Sequence, residues 1–106
     1  MDEPMIDGAL KRKLLTAHAY CITAGTTSTM LVQIKRIRGI NTDSMLSQRA
    51  MIDSNETGSN DGATPVAVND TYADIQQYDV LRIDIDQVHT TPAKGLIVTL
   101  VFGNLY

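Results

Sequence analysis

The sequence contains no tryptophan, one phenylalanine and one cysteine in 106 residues. A single cysteine, Cys21, cannot form a disulfide within the chain, and it cannot supply a zinc site built from several thiolates. The chain therefore suits folding in a reducing compartment. Because Cys21 lies in an apolar stretch, we expect its thiol to be buried and unreactive.

The scarcity of aromatic residues also bears on sugar binding, because many carbohydrate-binding β-sandwiches stack sugar rings on Trp or Tyr. The tyrosines are scattered along the chain, at Tyr20, Tyr72, Tyr78 and Tyr106. A sugar site therefore requires that the fold bring several of them together.

Long apolar runs are missing as well. No segment approaches the roughly 20 apolar residues of a membrane-spanning helix, and the acidic N-terminus, MDEPMIDG, does not fit a signal peptide. The net charge of −3 disfavours binding to a nucleic-acid backbone. The segment GTTST around Gly25 lacks the second glycine and the lysine of a P-loop. We therefore expect no membrane, no nucleic acid and no nucleotide cofactor.

The composition that remains is that of one globular domain. Apolar residues make up 43% of the chain and charged residues 20%. A domain of this size buries roughly 60–70% of its unfolded surface, so it needs no metal or disulfide. Residues 1–9 combine acids with Pro4 and Gly8 and have no periodicity, which predicts a flexible N-terminal arm. Residues 10–106 are expected to form the domain.

Alternation of apolar and polar residues predicts strands in most of the domain. The segment KRKLLTAHAYCI alternates with a period of two, although its Lys, Leu and Ala also favour a helix. The surrounding strand candidates favour a strand. The inner face of this strand is then expected to carry Leu15, Ala17, Ala19 and Cys21.

The next segment, MLVQIKRIRG, predicts a second strand. Val32 and Ile34 point inward, and Arg36 falls at the next inward position. We therefore expect a β-bulge near Arg36 that corrects the register. A third strand is predicted in NTDSMLSQRAMID, followed by a long loop, a short strand in TPVAVND and a connector with one helical turn.

The segment YDVLRIDIDQVHTTPAKGLIVTLVF predicts a hairpin of two strands. In its first strand, Leu81, Ile83 and Ile85 are expected to face inward. Its second strand is apolar on both faces, because Ile97 and Val101 lie opposite the core face in the alternation. Such a strand is covered on both sides or lies in an interface. The whole pattern predicts an all-β fold, a small antiparallel β-sandwich.

Acidic side chains are the first candidates for chemistry. Asp84 and Asp86 share a strand face about 7 Å apart, a spacing that suits calcium binding or acid–base catalysis. Arg82 shares that face, which favours a solvated strand exterior. The acids of the long loop resemble a cation site in composition, but their spacing does not match an EF-hand. The loop acids and the one that follows are Asp53, Glu56, Asp61 and Asp70.

The sequence offers few residues for a catalytic or zinc site. The histidines are His18, on a predicted outer strand face, and His89, in a predicted turn. No serine lies in a G-x-S-x-G nucleophile elbow, and two histidines without clustered cysteines make a poor zinc site. We therefore expect no enzyme activity and no bound metal.

Two basic runs, Lys11–Lys13 and Lys35–Arg38, remain. Such runs are commonly solvated strand edges that discourage aggregation, but they also suit docking on an acidic protein surface. Lys35, Arg36 and Arg38 therefore join Ile97 and Val101 as candidate interface residues.

The hairpin segment resembles a recurring pattern in structural proteins of tailed bacteriophages. That pattern is a Gly-Asp turn, an alternating strand, a Thr/Pro/Gly turn and a strand similar to GLIVTLVF. The segments TAGTTSTMLVQIKRIRG and TDSMLSQRAMIDSNETGS resemble the preceding strands, so the likeness covers about residues 9–103. Two positions depart from it: Tyr78 replaces the glycine before Asp79, and Arg38-Gly39 replaces an Asn-Gly.

The resemblance implies a jelly-roll-like β-sandwich that serves on virions as a head fibre, head decoration or tail appendage. It implies no catalytic residues. We therefore expect a homo-oligomeric virion protein, assembled in the host cytoplasm, that binds the major capsid protein or other virion proteins. Two alternatives remain: a tail-associated domain that binds a host receptor or carbohydrate, with grouped Tyr20, Tyr72 or Tyr78, and a small hydrolase built on His18 or His89.

Overall fold

A computed structural model describes residues 12–104, and the predicted N-terminal arm lies outside this range. The described chain is an all-β, antiparallel sandwich, as the sequence predicted. No helix in this range has the length and apolar character needed to cross a bilayer. The strands are β1 (Arg12–Thr23), β2 (Met30–Arg38), β3 (Asn41–Ser44), β4 (Leu46–Gln48), β5 (Ala50–Ile52), β6 (Ala67–Val68), β7 (Asp74–Ile75), β8 (Val80–Gln87) and β9 (Lys94–Asn104). Short 3₁₀ turns occur at Ser59–Asp61 and Asp70–Tyr72.

Two sheets form the layers of the sandwich. The first has the order β7-β1-β9. In the second, β2 is central: β8 pairs along one edge, and β5 and β3 share the other edge. The strands β4 and β6 form a separate short ladder. The predicted third strand is thus three short strands, β3, β4 and β5.

The core lies between β1 and β2 and extends to β4 and β5. Small side chains on β1 let the two sheets approach closely, and larger ones on β2 fill the space. The fully or almost fully buried apolar residues are Leu14, Ala17, Ala19, Cys21, Met30, Val32, Ile34, Met45, Leu46, Ala50, Ile52 and Ala73. Cys21 is buried as predicted, and burial raises the pKa of its thiol.

The prediction for β1 was wrong at its start. Leu14 is buried and Leu15 is exposed, because a register shift between Leu14 and Thr16 places two residues against one of β9. Because Leu14 and Leu15 are adjacent and equally apolar, the alternation of the sequence did not determine which of them faces the core. Ala17, Ala19 and Cys21 point inward as predicted.

The predicted hairpin of β8 and β9 was also wrong. The strand β8 pairs with β2, and β9 pairs with β1, so the connection between them crosses from one sheet to the other. The two strands thus lie in opposite layers of the sandwich.

One side of the sandwich is closed by the chain between β5 and β7. This segment bonds to the edge of β1 that faces away from β9. The bonds are Leu14 N to Ala73 O (2.9 Å), Cys21 N to Thr57 O (2.8 Å) and Ala19 N to Ser59 Oγ (2.9 Å).

On the other side, β8 and β9 are the outermost strands of their sheets. Ile83 and Ile85 lie opposite Ile34 and Val32 on the inner face of the second sheet, as predicted. They are nevertheless 47% and 48% exposed. Within residues 12–104, this side of the sandwich therefore leaves inward-facing apolar residues in contact with solvent.

The turn before β8 places Tyr78 in a left-handed backbone conformation, with φ of 74°. Asp79 N donates to Gln76 O (3.2 Å), and Gln76 N donates to a carboxylate oxygen of Asp79 (2.8 Å). Glycine is the residue that adopts this conformation without steric cost. Tyr78 keeps the turn at that cost, while its side chain is 89% exposed.

Replacing Tyr78 with glycine is expected to raise the free energy of unfolding by about 1 kcal/mol, because it removes the left-handed strain. Urea denaturation measures this change. Tyr78→Ala is the control, since it removes the ring but keeps a Cβ at the same φ. A glycine variant no more stable than the alanine variant would contradict the strain argument.

Candidate interaction surface

The outward face of β1 and β9 is largely apolar. Tyr20 lies opposite Ile97, and Thr16 lies opposite Val101, so the two strands present these side chains side by side. Ile97 is 53% exposed and Val101 40% exposed. Both residues therefore occupy the second apolar face that the alternation predicted for β9.

Two glycines extend this face at its ends. A Cβ at Gly95, where φ is 72°, would lie 2.8 Å from Cδ1 of Ile22, and one at Gly103 would lie 2.8 Å from Cδ1 of Leu15. The side chains of Ile22 and Leu15 therefore lie across the bare backbone of the neighbouring strand. We call Leu15, Tyr20, Ile22, Ile97 and Val101 the outer apolar face.

The outer apolar face is a candidate binding surface. Its members range from 37% exposed at Tyr20 to 75% at Ile22, and they share one face of one strand pair. Grouped apolar side chains of this kind mark protein–protein contact sites. Covering them with a partner would gain about 25 cal/mol per Å² of apolar surface removed from water.

The structure places the basic interface candidates elsewhere, on β2 near its end. Arg36 is only 5% exposed. It continues the inward series of Val32 and Ile34, and its register with β8 is unbroken. The bulge predicted near Arg36 was therefore wrong; the register shift of β2 lies between Leu31 and Val32.

Carboxylates and carbonyls from distant parts of the chain make this buried arginine possible. Arg36 Nη1 donates to both Oδ1 and the backbone oxygen of Asp74 (2.8 Å each), and Asp43 lies 3.7 Å from Nη2. The guanidinium also lies 5.6 Å from the ring centre of Tyr72. A buried charge without such partners would be strongly destabilising.

Arg38 extends the same network. It binds both carboxylate oxygens of Asp79, at 2.9 and 2.8 Å, and also contacts Asp74. The side chain of Asp79 is 1% exposed. Lys35 is half-buried and donates to Ser44 Oγ at 2.6 Å. The basic run is thus largely engaged within the molecule, although an interface role for it stays a prediction.

The network sets the charge state of its acids. The hydrogen bonds from Arg38 hold the pKa of Asp79 below its usual range, and Asp79 in turn raises the pKa of Arg38. Burial alone would raise the pKa of Asp74, but hydrogen bonds from Arg36 and Arg38 outweigh it, and the pKa is lowered. The acids therefore stay ionised and hold the end of β2 against β7 and the turn before β8.

The two histidines lie in different environments. His18 is half-buried on the outward face of β1, as predicted, with its ring centre 6.2 Å from that of Tyr20. His89 is 1% exposed, packs on Gly25, and its Nε2 lies 3.3 Å from the backbone oxygen of Asp53. Within the described chain, no hydrogen bond joins either imidazole to a carboxylate or a serine side chain.

The candidate acids of β8, Asp84 and Asp86, form ion pairs with arginines. Arg82 binds both oxygens of Asp84, at 2.7 and 3.0 Å, and this pair lowers the pKa of Asp84. Asp86 pairs with Arg49 at 3.1 Å. Among residues whose side chains the structure describes, no group of three His, Cys, Asp or Glu side chains could hold a metal ion.

The loop acids do not converge in the described chain. Asp53 Oδ2 accepts a hydrogen bond from Ala63 N (2.9 Å), Glu56 has a buried oxygen without a partner, and Asp70 is exposed in a 3₁₀ turn. The side chain of Asp61 lies outside the described part.

The described tyrosines, Tyr20, Tyr72 and Tyr78, do not form a single cluster. Tyr72 lies beside Arg36, and Tyr78 lies in the turn that binds Arg38. Tyr20 lies about 23 Å along β1 from the residue that pairs with Asp74, given about 3.3 Å per residue.

Asp79→Asn is expected to lower the free energy of unfolding at neutral pH by about 2 kcal/mol, because Arg38 loses a charged partner that is almost fully buried. A carboxylate with a lowered pKa in the folded state stabilises above its ordinary value of about 4 and loses that contribution as pH falls below it. Between about pH 5 and pH 2, stability should therefore fall less in the variant than in the native chain.

Thermal unfolding from about pH 7 down to about pH 2 measures both effects. Asp70→Asn, a change at an exposed acid, is the control and should stay near the native chain. Parallel pH profiles for Asp79→Asn and the native chain would contradict a stabilising Arg38–Asp79 pair.

Comparisons with protein-family models, with curated proteins and with solved structures gave no match to this chain.

Proposed function

We propose that this chain is a non-enzymatic structural protein of a tailed-phage virion that binds neighbouring virion proteins through its outer apolar face. The resemblance of its strand pattern to such proteins supports the proposal. So does the engagement of Arg36, Arg38, Asp84 and Asp86 in ion pairs within the molecule, while the apolar side chains of the β1–β9 pair stay exposed in the described chain.

The single observation that carries the proposal is the second apolar face of the β1–β9 pair. A sandwich uses one face of each sheet for its core, so the other face normally carries polar residues. Here Leu15, Ile22 and Ile97 are each about half exposed or more on that second face. A partner that covers these side chains would remove their apolar surface from water, which accounts for apolar residues at these positions.

Within a virion, the proposed role is that of a capsid decoration or cement protein or a head-fibre component. The partner is then the major capsid protein or another virion protein that presents a matching apolar surface. Repetition by symmetry suits such a surface, because many weak contacts act together with high avidity.

A second candidate function is recognition of a host receptor or carbohydrate by a tail-associated domain. The observation in its favour is the exposure of Tyr78 at 89% and of Ile40 at 100%, in turns joined by the Arg38–Asp79 pair. Recognition residues are often displayed on such turns. Strain at Tyr78 also suggests a side chain kept for a purpose other than stability.

The first proposal predicts that Ile22→Lys and Ile97→Lys each lower incorporation into particles by about tenfold or more, because each buries a charge in an apolar contact. The isolated variants should keep their stability within about 0.5 kcal/mol, since both side chains face solvent there. Quantitative analysis of purified particles measures incorporation. Ile40→Lys makes the same change at the fully exposed turn and is the matched control. Normal incorporation of either face variant would overturn the proposal.

The second candidate predicts a different result. Tyr78→Ala should reduce adsorption of particles to the host while incorporation stays normal, because the ring would contact the receptor. Unchanged adsorption would remove this candidate.

A further inference from the structure

The strand β9 lacks the protection that edge strands usually have. Within residues 12–104 it pairs only with β1, which leaves its other edge free. Gly95–Gly103 contains no charged residue and no proline. Natural proteins guard long edges with charges, prolines or bulges, because a free edge pairs with other chains. The strand β8, which is outermost in the second sheet on the same side of the sandwich, carries the charged residues Arg82, Asp84 and Asp86.

The hydrogen bonds of β1 show which groups of β9 face the free edge. Leu14 N and Cys21 N donate to the closing segment, away from β9. In an antiparallel ladder, the residues opposite them direct their backbone groups away as well. These are Phe102 and Leu96. By alternation, the residues whose backbone N–H and C=O groups point to the free edge are Leu96, Val98, Leu100 and Phe102, and we call them the outward set. Their side chains point to the inner face of the sheet.

We propose that two copies of this chain pair through this edge, with β9 antiparallel to β9 of the second copy and a two-fold axis at Thr99. In this register, Leu96 lies opposite Phe102 of the second copy, and Val98 lies opposite Leu100. Outward backbone groups then face outward backbone groups, so every N–H and C=O of the outward set has a partner. A shift by one residue would oppose outward groups to inward ones.

The side chains are complementary in the same register. On the outward face, Ile97 lies beside Val101 of the second copy, and Thr99 lies beside Thr99. On the inner face, the apolar residues of the outward set lie beside each other, and no charges meet anywhere between Gly95 and Gly103. Cross-strand apolar pairs of this kind each stabilise by about 0.2–1 kcal/mol.

The pairing joins the outer apolar faces of two copies into one continuous surface. This inference deepens the proposed assembly role. It rests on that role only for the statement that neighbouring virion proteins contact the doubled surface. The pairing itself is a property of the isolated chain.

Cysteine cross-linking tests the register. Thr99→Cys, in a Cys21→Ala background, should form a disulfide between copies in dilute oxidant. The two Cα atoms would lie about 4.5 Å apart in a non-hydrogen-bonded pair, within the range of about 4.4–6.8 Å that disulfides require. Val101→Cys is the matched control, because the equivalent atoms would be about 13 Å apart along the strands. Equal cross-linking of both variants would overturn this register.

A charge exchange tests the pairing in solution. Thr99→Lys alone and Thr99→Glu alone should each raise the dimer dissociation constant by about tenfold or more, because like charges meet on the two-fold axis. An equimolar mixture should restore dimers as a Lys–Glu heterodimer. Sedimentation over micromolar to millimolar concentrations measures these states, and circular dichroism checks that each variant is folded.

The outcomes separate this inference from the proposed function. A native chain that stays monomeric throughout, with no Thr99→Cys cross-link, overturns the pairing, whether its own terminus or another protein covers the edge. Dimers that form as expected while Ile22→Lys enters particles normally overturn the proposed function and leave the pairing standing. Ile22 lies on β1, away from the paired edge.

Discussion

The alternation of side chains along a strand is the constraint on which this molecule's surface depends. A strand in a two-layer sandwich places one set of side chains against the other sheet and the other set in solvent. The strand β9 is apolar in both sets, and its partner β1 adds Leu15, Tyr20 and Ile22 to the set that faces solvent. The sandwich can bury only one of these faces by itself. Within the described chain, the outward face and the free edge of β9 are therefore left uncovered.

The end of β2 shows the opposite solution to the same constraint. Arg36 occupies an inward position, and the chain meets it with carboxylates and carbonyls from Asp43, Asp74 and Tyr72. Arg38 and Asp79 join this network and fix the turn that displays Tyr78. Charge is thus neutralised within the molecule at this end. The apolar surface of β1 and β9 is left without an internal partner in the described chain.

Much of the fold could be predicted from the sequence because half-buried strands alternate. The strand character of β1, β2, β8 and β9 and the positions of Ile97 and Val101 followed from a period of two. The choice between Leu14 and Leu15 did not, because two adjacent leucines fit either register. The burial of Arg36 did not either, since its partner Asp74 lies 38 residues away in the sequence. The hairpin prediction assumed that neighbouring strands pair, whereas β8 and β9 join different sheets.

The extent of the outer apolar face was also beyond sequence reasoning. Ile22 and Leu15 belong to it because glycines at positions 95 and 103 leave room for their side chains, and that contact depends on the pairing of β1 with β9. The available signal was the pair of glycines that bracket an uncharged run in β9. Without the partner strand, their spacing has no evident meaning.

Amide hydrogen exchange along β9 tests the central claim most directly. The N–H groups of Ile97, Thr99 and Val101 bond to β1, so they should exchange slowly in every state. The N–H groups of Val98 and Leu100 should exchange fast in the dilute isolated chain and become protected when copies or particles assemble. Fast exchange at Val98 and Leu100 in the assembled state would contradict the claim that β9 is an assembly strand.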